Sequence, residues 1–322
     1  MKPLVTVIVA TYNSAPYVLE TLESAYNQTY TNLGLIVSDD CSTDETLAIV
    51  KEWLAQDKVK NRFQSIQLLT VQKNTGISAN CNRSIAATKS DYFKFIAGDD
   101  ILYPNCIQDN MNFVLENPNA RIVFSQINLY QDQFEDANYI KTTPQDFPLN
   151  IMDSALSAQD QYNLLLLSDR IHYTPSFFTH KQTIIDVGGY DENNKLVEDY
   201  PMWLKLTKAG IRLDYFHKVT VGYRIHSRAT NNISNSVLFK PAIFNSFKIR
   251  KQLAHPYLPW EIAASEYHIY LVSRVFSLLN WNKKTKIFAS IYKFWCVYFN
   301  PFQYVYSLKK RLQKSNNTIF YL

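Results

Sequence analysis

No acidic residue follows Glu266 in this 322-residue chain. No window of it reaches the roughly 18 uninterrupted apolar residues that a membrane-spanning helix needs, so a bilayer-crossing protein is not expected. The four cysteines, Cys41, Cys81, Cys106 and Cys296, form no C-x-x-C pair and no metal-like spacing, and they read as reduced thiols of a cytosolic protein. Met1–Thr11 lacks the apolar core of an export signal and moves directly into a strand-like run. Glycine is missing from the first strand-to-helix loop, ATYNSAPY, and there is no P-loop. Without glycine amides to approach a pyrophosphate closely, a hydride-transfer dinucleotide site is disfavoured. Internal repeats, low-complexity linkers and recognised nucleic-acid modules are missing too, so no nucleic-acid partner is expected.

What is present is a globular balance of 47% apolar and 19% charged residues, long enough for one large α/β domain and a smaller appendage. The net charge of +5 is unevenly spread. Nine basic residues lie between Arg274 and Lys314, which leaves residues 1–266 with 24 basic against 28 acidic groups, a net of −4. The two parts are expected to face different partners.

LVTVIVA (Leu4–Ala10) is a β-branched run of the kind buried on both faces of a parallel sheet. VLETLESAYNQ then shows helical spacing. LGLIVSDD reads as a second strand and STDETLAIVKEWLA as a capped helix. SIQLLTV, GISANCNRSIAAT and DYFKFIAG continue the alternation as strand, helix and strand, which predicts a parallel nucleotide-binding sheet. RIVFSQINLY, NLLLLSD and IHYTPSFFTH make the middle, residues 120–180, strand-rich. DYPMWLKLTKAG is predicted to be a helix stopped by Gly210, and residues 240–322 read as aromatic-rich helices.

In open parallel sheets, ligands bind beyond the carboxyl ends of the strands. Three polar clusters fall there: Thr11-Tyr12-Asn13, Asp39-Asp40 and Asp99-Asp100. Each alone is equally a turn or a helix cap, as Asp44 is; together they point to a ligand site. With no glycine cradle, the phosphate neutraliser expected is a divalent cation on carboxylate oxygens, Mg2+ or Mn2+. Successive side chains at a strand end diverge, so one member of Asp99-Asp100 is expected to grip the metal and the other a ligand hydroxyl.

VTVIVATYNSAPYVLETLESAYNQTYTNLGLIVSDDCSTDETLAIV, NTGISANCN and FIAGDD resemble the N-terminal half of family 2 glycosyltransferases of the GT-A fold. GGYDENNKLVEDYPMWLKLTKAG is similar to that family's acceptor-side motif, and YRIHS to the segment that follows it. The match covers about residues 3–230. The resemblance implies that Thr11 and Tyr12, with Asn13, line base and ribose, that Asp40 hydrogen-bonds the base, and that Asp99 contacts ribose or sugar. It implies further that Asp100 coordinates the metal and that Asp199, with Glu198 beside it, is the general base. Asn74, Asn80 and Asn82 resemble residues that brace the site, although Asn also caps and turns. Arg224 and His226 are candidate substrate and metal contacts, with packing as the alternative for each; Trp203 is either a core aromatic or a sugar-stacking residue. Many relatives carry a further acid where this sequence has Ala97.

The expected fold is α/β: a GT-A-like parallel or mixed sheet flanked by helices, with a helical, basic and aromatic C-terminal extension. The expected domains are a catalytic domain, 1–235, with a nucleotide-sugar half, 1–120, and an acceptor half, 121–235, followed by an extension, 236–322. The expected reaction is inverting transfer of a hexosyl or N-acetylhexosaminyl group from a nucleoside-diphosphate sugar, with UDP the expected nucleotide, to a glycan or lipid-linked glycan in surface-polysaccharide synthesis. The alternatives are nucleotidyl transfer, disfavoured by the same loop, and a degenerate sugar-nucleotide or membrane-surface binding module. WNKKTKIFASIYKFWCVYFNPFQYVYSLKKRLQK reads as an interfacial anchor on anionic lipid at the cytoplasmic face, or else as a packed helix pair with solvated lysines.

Overall fold

The computed structural model describes residues 2–145, 151–193, 198–226, 237–240 and 242–312. The chain divides into two compact units, Met1–Gln161 with Arg170–His226, and Tyr162–Asp169 with Ser227–Leu322.

The first unit opens with β1 (Val5–Thr11), α1 (Val18–Tyr26), β2 (Leu33–Asp39), α2 (Thr46–Ala55), α3 (Asp57–Arg62), β3 (Ser65–Thr70), α4 (Ile77–Ala87) and β4 (Tyr92–Ala97). Every residue of β1 and β2 is buried, the pattern of strands covered on both faces. β1 pairs in parallel with β2, Val5 opposite Leu33 through Thr11 opposite Asp39. It also pairs in parallel with β4, Val5 opposite Tyr92 through Ala10 opposite Ala97. This register brings Thr11, Asp39-Asp40 and Asp99-Asp100 to one edge of the sheet.

The chain continues through β5 (Ile101–Leu102), α5 (Cys106–Glu116), β6 (Ile122–Gln131), β7 (Tyr139–Thr143), α6 (Ala158–Leu167), β8 (Phe178–His180), α7 (Lys181–Asp186), α8 (Asp199–Lys208) and β9 (Asp214–Ile225). The nine strands form one mixed sheet of order β3-β2-β1-β4-β8-β6-β9-β5, with β7 added on β6. β8 is antiparallel to both neighbours, β4 and β6, and marks the change from the parallel half to the mixed half. Lys94, fully buried in β4, donates to the carbonyls of Phe95, Pro175 and Phe177, which fastens the turn before β8; burial pushes its ammonium down to about 8.

Two expected strands are corrected. NLLLLSD belongs to α6, because Ser157 and Asp160 form a reciprocal cap: the Ser157 N–H donates to Asp160 Oδ2 at 3.0 Å and the Asp160 N–H to Ser157 Oγ at 3.1 Å. Such a cap is worth about 1 kcal/mol and starts the helix just ahead of the leucines. IHYTPSFFTH contributes only Phe178–His180 as strand, since Thr174–Ser176 is a 3-10 turn with a proline inside it. Gly210 ends α8 as expected, with Gly210 N–H bonded to Thr207 O and Ile211 N–H to Leu206 O.

The second unit contains α9 (Ala242–Leu253), α10 (Trp260–Leu278), α11 (Lys286–Lys293), a π-helical turn (Phe294–Tyr298) and α12 (Pro301–Leu312). Phe247 and Tyr270 stack at 4.2 Å between ring centres. Glu261, wholly buried on α10, pairs with Lys309 of α12 at 3.0 Å. Among the described residues no helix is long and apolar enough to cross a membrane.

Candidate active site at the carboxyl edge of the sheet

The loops leaving β1, β2 and β4 are tied to one another before any ligand is considered. Thr11 Oγ1 donates to Asp39 Oδ1 at 2.9 Å, and Ser42 N–H donates to the other Asp39 oxygen at 2.9 Å. Asn13, in the left-handed region at φ 52°, accepts from the Thr43 N–H through Oδ1 at 2.8 Å. Gly98 sits so close to the β1 loop that a Cβ there would lie 3.0 Å from Thr11 Cγ2 and 3.1 Å from Ser14 Oγ. The residue before the Asp pair therefore has to be small.

Asp40 is buried and serves the loop that begins α4. It accepts from the N–H groups of Thr75 at 3.0 Å and Gly76 at 2.8 Å, from the Thr75 hydroxyl, and from Arg83 at 3.3 Å. Asn80, also buried, bonds Ser38 in both directions, and Arg83 donates to its Oδ1 at 2.8 Å. Of the expected nucleotide contacts, Thr11, Asn13, Asp40 and Asn80 thus order the rim, and Tyr12 keeps half its surface, 49%, open.

At the end of β4, Asp100 is buried and its Oδ1 accepts the Arg224 backbone N–H at 2.9 Å. Burial, then the neighbouring Asp99 charge, hold its carboxyl well above the usual carboxylate range, against the Arg224 contacts that favour ionisation. Asp99 stays partly open and meets His226 Nε2 at 3.0 Å, and the His226 ring packs on Tyr17 at 4.5 Å. Arg224 takes a different place from the substrate contact expected of it. Its Nε donates to Asp99 O at 2.8 Å, its guanidinium reaches Asp132 O and Glu20, and it lies between the Tyr17 and Phe134 rings. With its donors engaged and its side chain 3% exposed, Arg224 is a brace under the Asp pair. Trp203 is corrected as well: it is fully buried against Phe124 at 5.0 Å and Phe177 at 5.6 Å, so no ring face is available to a sugar.

α4 links this edge to the Glu198-Asp199 pair. Asn82 donates to Tyr190 O at 2.9 Å and accepts from the Tyr190 N–H at 2.9 Å, which fixes the loop after α7. Gly189 in that loop has φ +68°, and a Cβ there would come within 2.8 Å of Asn82 Oδ1. Asp199 is the first residue of α8, with Glu198 just ahead of it. Burial pushes the Cys81 thiol and the Tyr190 hydroxyl well up, and the charges of Glu198 and Asp199 push both further; the pair therefore stands beside α4 and Tyr190. Residues 194–197 of this motif and Ser227 of YRIHS lie outside the described residues.

Burial also raises the Glu198 carboxyl. An acid whose folded affinity for protons exceeds its unfolded one costs stability as pH rises above the unfolded value, 4.5. Glu198→Gln should therefore leave the melting temperature unchanged below pH 4.5 and raise it increasingly above that. Melting curves of variant and wild type across pH test this, and a difference independent of pH would refute it.

Among the described residues no group of three His, Cys, Asp or Glu side chains is arranged to hold a metal by protein ligands alone. The Asp99-Asp100 pair suits a hard cation of the Mg2+ or Mn2+ kind, which is held by one or two carboxylates together with substrate phosphates. The observation that fits is the buried Asp100 beside a second carboxylate, Asp99, a site where added positive charge relieves repulsion.

A parallel half carrying this polar rim, continued by a mixed half that holds a second acidic pair, defines a GT-A-type glycosyltransferase fold. The chain belongs to glycosyl transferase family 2, whose model matches residues 6–178. It is 30% identical over 261 residues to an uncharacterized glycosyltransferase of Rickettsia typhi, covering 78% of this chain and 74% of that protein. It is 26% identical over 229 residues to a chondroitin synthase of Escherichia coli, covering 71% of this chain but 30% of that protein. Among solved structures, S. aureus TarS in complex with UDP-GlcNAc superposes with a TM-score of 0.57 at 19% identity, over 86% of this chain and 76% of that one.

Proposed function

We propose that this glycosyltransferase moves a hexosyl or N-acetylhexosaminyl group from a UDP-sugar to a hydroxyl of a glycan or lipid-linked glycan, with inversion, at the cytoplasmic face of a membrane. The observation that carries the donor half is the meeting of Thr11, Tyr12, Asp40 and Asp99-Asp100 at one carboxyl edge; the likeness to TarS, solved with UDP-GlcNAc, supports it. Asp199 takes the acceptor proton, and the start of α8 together with Glu198 positions it. Asp100 would hold Mn2+ or Mg2+, which supplies positive charge to the departing diphosphate, and Asp99 takes a hydroxyl of the donor's ribose or sugar. One base and one displacement give inversion at the anomeric carbon. The test is calorimetric titration with UDP, GDP and ADP in the presence of Mn2+, followed by NMR assignment of the product anomer. UDP is expected to bind at least about tenfold more tightly than the other two, a difference of about 1.4 kcal/mol. Equal affinity for all three, or a retained anomeric configuration, would overturn the reading.

A further inference from the structure

Of the 24 large hydrophobic side chains that lie exposed among the described residues, 18 fall between Leu253 and Leu312. Scattered exposed apolar residues are ordinary, but this concentration in one helical unit is not. At the π-helical turn Phe294, Trp295 and Phe299 are 49%, 41% and 53% exposed, and they pack on one another at 4.8 to 6.1 Å between ring centres. On α12, Tyr304, Leu308 and Leu312 recur every fourth residue and are all exposed. An apolar stripe at that spacing is the face a helix normally buries.

The charge around this face has one sign. Residues 227–322 contain 14 basic residues and two acidic ones, Glu261 and Glu266. Both acids are taken up inside the unit, Glu261 by Lys309 and Glu266 by Arg250 and His255. Lys283, Lys284 and Lys286 are exposed just before Phe294, and Lys309, Lys310 and Arg311 form the last turn of α12.

We infer that the aromatic turn Phe294–Phe299 and the Tyr304-Leu308-Leu312 stripe of α12 form a docking surface for an anionic lipid bilayer. The inference deepens the membrane-face setting proposed above and rests on it. Aromatic side chains favour the interface between headgroups and acyl chains, and lysines beside them neutralise headgroup phosphates. The charge favours this occupant over the same surface of a second copy, which would bring two surfaces of one sign together with no acid between them.

Sedimentation of the full chain with vesicles tests it, using phosphatidylcholine alone and phosphatidylcholine with phosphatidylglycerol. Strong partition onto the anionic vesicles only, weakened by salt, is expected. Changing Lys283, Lys284 and Lys286 to Gln should weaken partition about a hundredfold, from the usual contribution of each surface lysine. Phe294→Ser, Trp295→Ser and Phe299→Ser together should weaken it at least about tenfold. The thermal transition of the lysine variant should stay in place, because those three side chains are exposed, and retained UDP binding by the aromatic variant shows that its catalytic unit is intact. Equal partition onto neutral vesicles, or undiminished partition of the aromatic variant, overturns the proposal. So does concentration-dependent dimerisation that the serine changes abolish. UDP titration of the same proteins separates the two readings, since donor binding without vesicle binding sinks this surface alone, and the converse sinks the donor assignment alone.

Discussion

Asp199→Asn should lower turnover with a UDP-sugar donor by about 10²–10⁴-fold, the usual contribution of a positioned general base. Donor binding and the melting temperature should change little. The asparagine occupies nearly the same volume at the first residue of α8 and keeps the dipole of a side-chain oxygen there, but it takes no proton. An acceptor hydroxyl is a weak nucleophile near neutral pH, so losing the proton acceptor falls on the chemical step and not on affinity. Single-turnover kinetics with titrated UDP check both halves of this. Glu198 stands next in sequence and is the alternative base; burial raises its carboxyl, which would suit that role. If Asp199→Asn turns over at the wild-type rate while Glu198→Gln does not, the roles are exchanged. If both retain full rate, the base lies elsewhere.

The parallel half of the sheet was legible because its signals are local. LVTVIVA and LGLIVSDD carry the continuous burial of central strands, and the loops between them carry no glycine cradle. The start and stop of α8 were legible for the same reason, Asp199 and Pro201 opening it and Gly210 closing it. α6 was misread because NLLLLSD viewed alone fits a buried strand as well as a helix; the deciding signal, Ser157 and Asp160 three residues apart, stood just before it. For the site, sequence identified the residues that bear charge but not what those charges do. Arg224 and Glu20 are 204 residues apart, and no periodicity or motif links them, so the brace beneath Asp99-Asp100 becomes visible only when β9 and α1 are in place. Thr75, Gly76 and Arg83 as partners of Asp40 were missed similarly, although the glycine just before a helix was a usable hint of amides available to an anion. For Trp203 the sequence left two readings open, core aromatic and sugar stacking, and the packing of Phe124 and Phe177 around it decides for the core.

Asp100→Asn should make the protein more stable and less active at once. The aspartate is buried next to Asp99, and its carboxyl is held well above the usual range by burial first and by that neighbour second. The neutral amide keeps an oxygen for the Arg224 N–H, which Asp100 accepts at 2.9 Å, and removes the buried charge. By linkage, an acid with raised folded affinity for protons costs stability once pH exceeds its unfolded value, 3.8, so the gain should vanish below that pH and be present at neutrality. Activity should move the other way. Without a charged Asp100, UDP binding should lose its dependence on Mn2+, and kcat/KM should fall by about 10²–10³, as expected when several kcal/mol of charge stabilisation is removed. Melting curves across pH and UDP titrations with and without Mn2+ report the two effects separately. A variant that is less stable as well as less active would make Asp100 a structural partner of Arg224, and one that keeps the Mn2+ dependence would remove it from the cation site. Only opposite signs, with the stability gain confined to pH above 3.8, agree with a carboxylate kept in an unfavourable place for a cation that arrives with the donor.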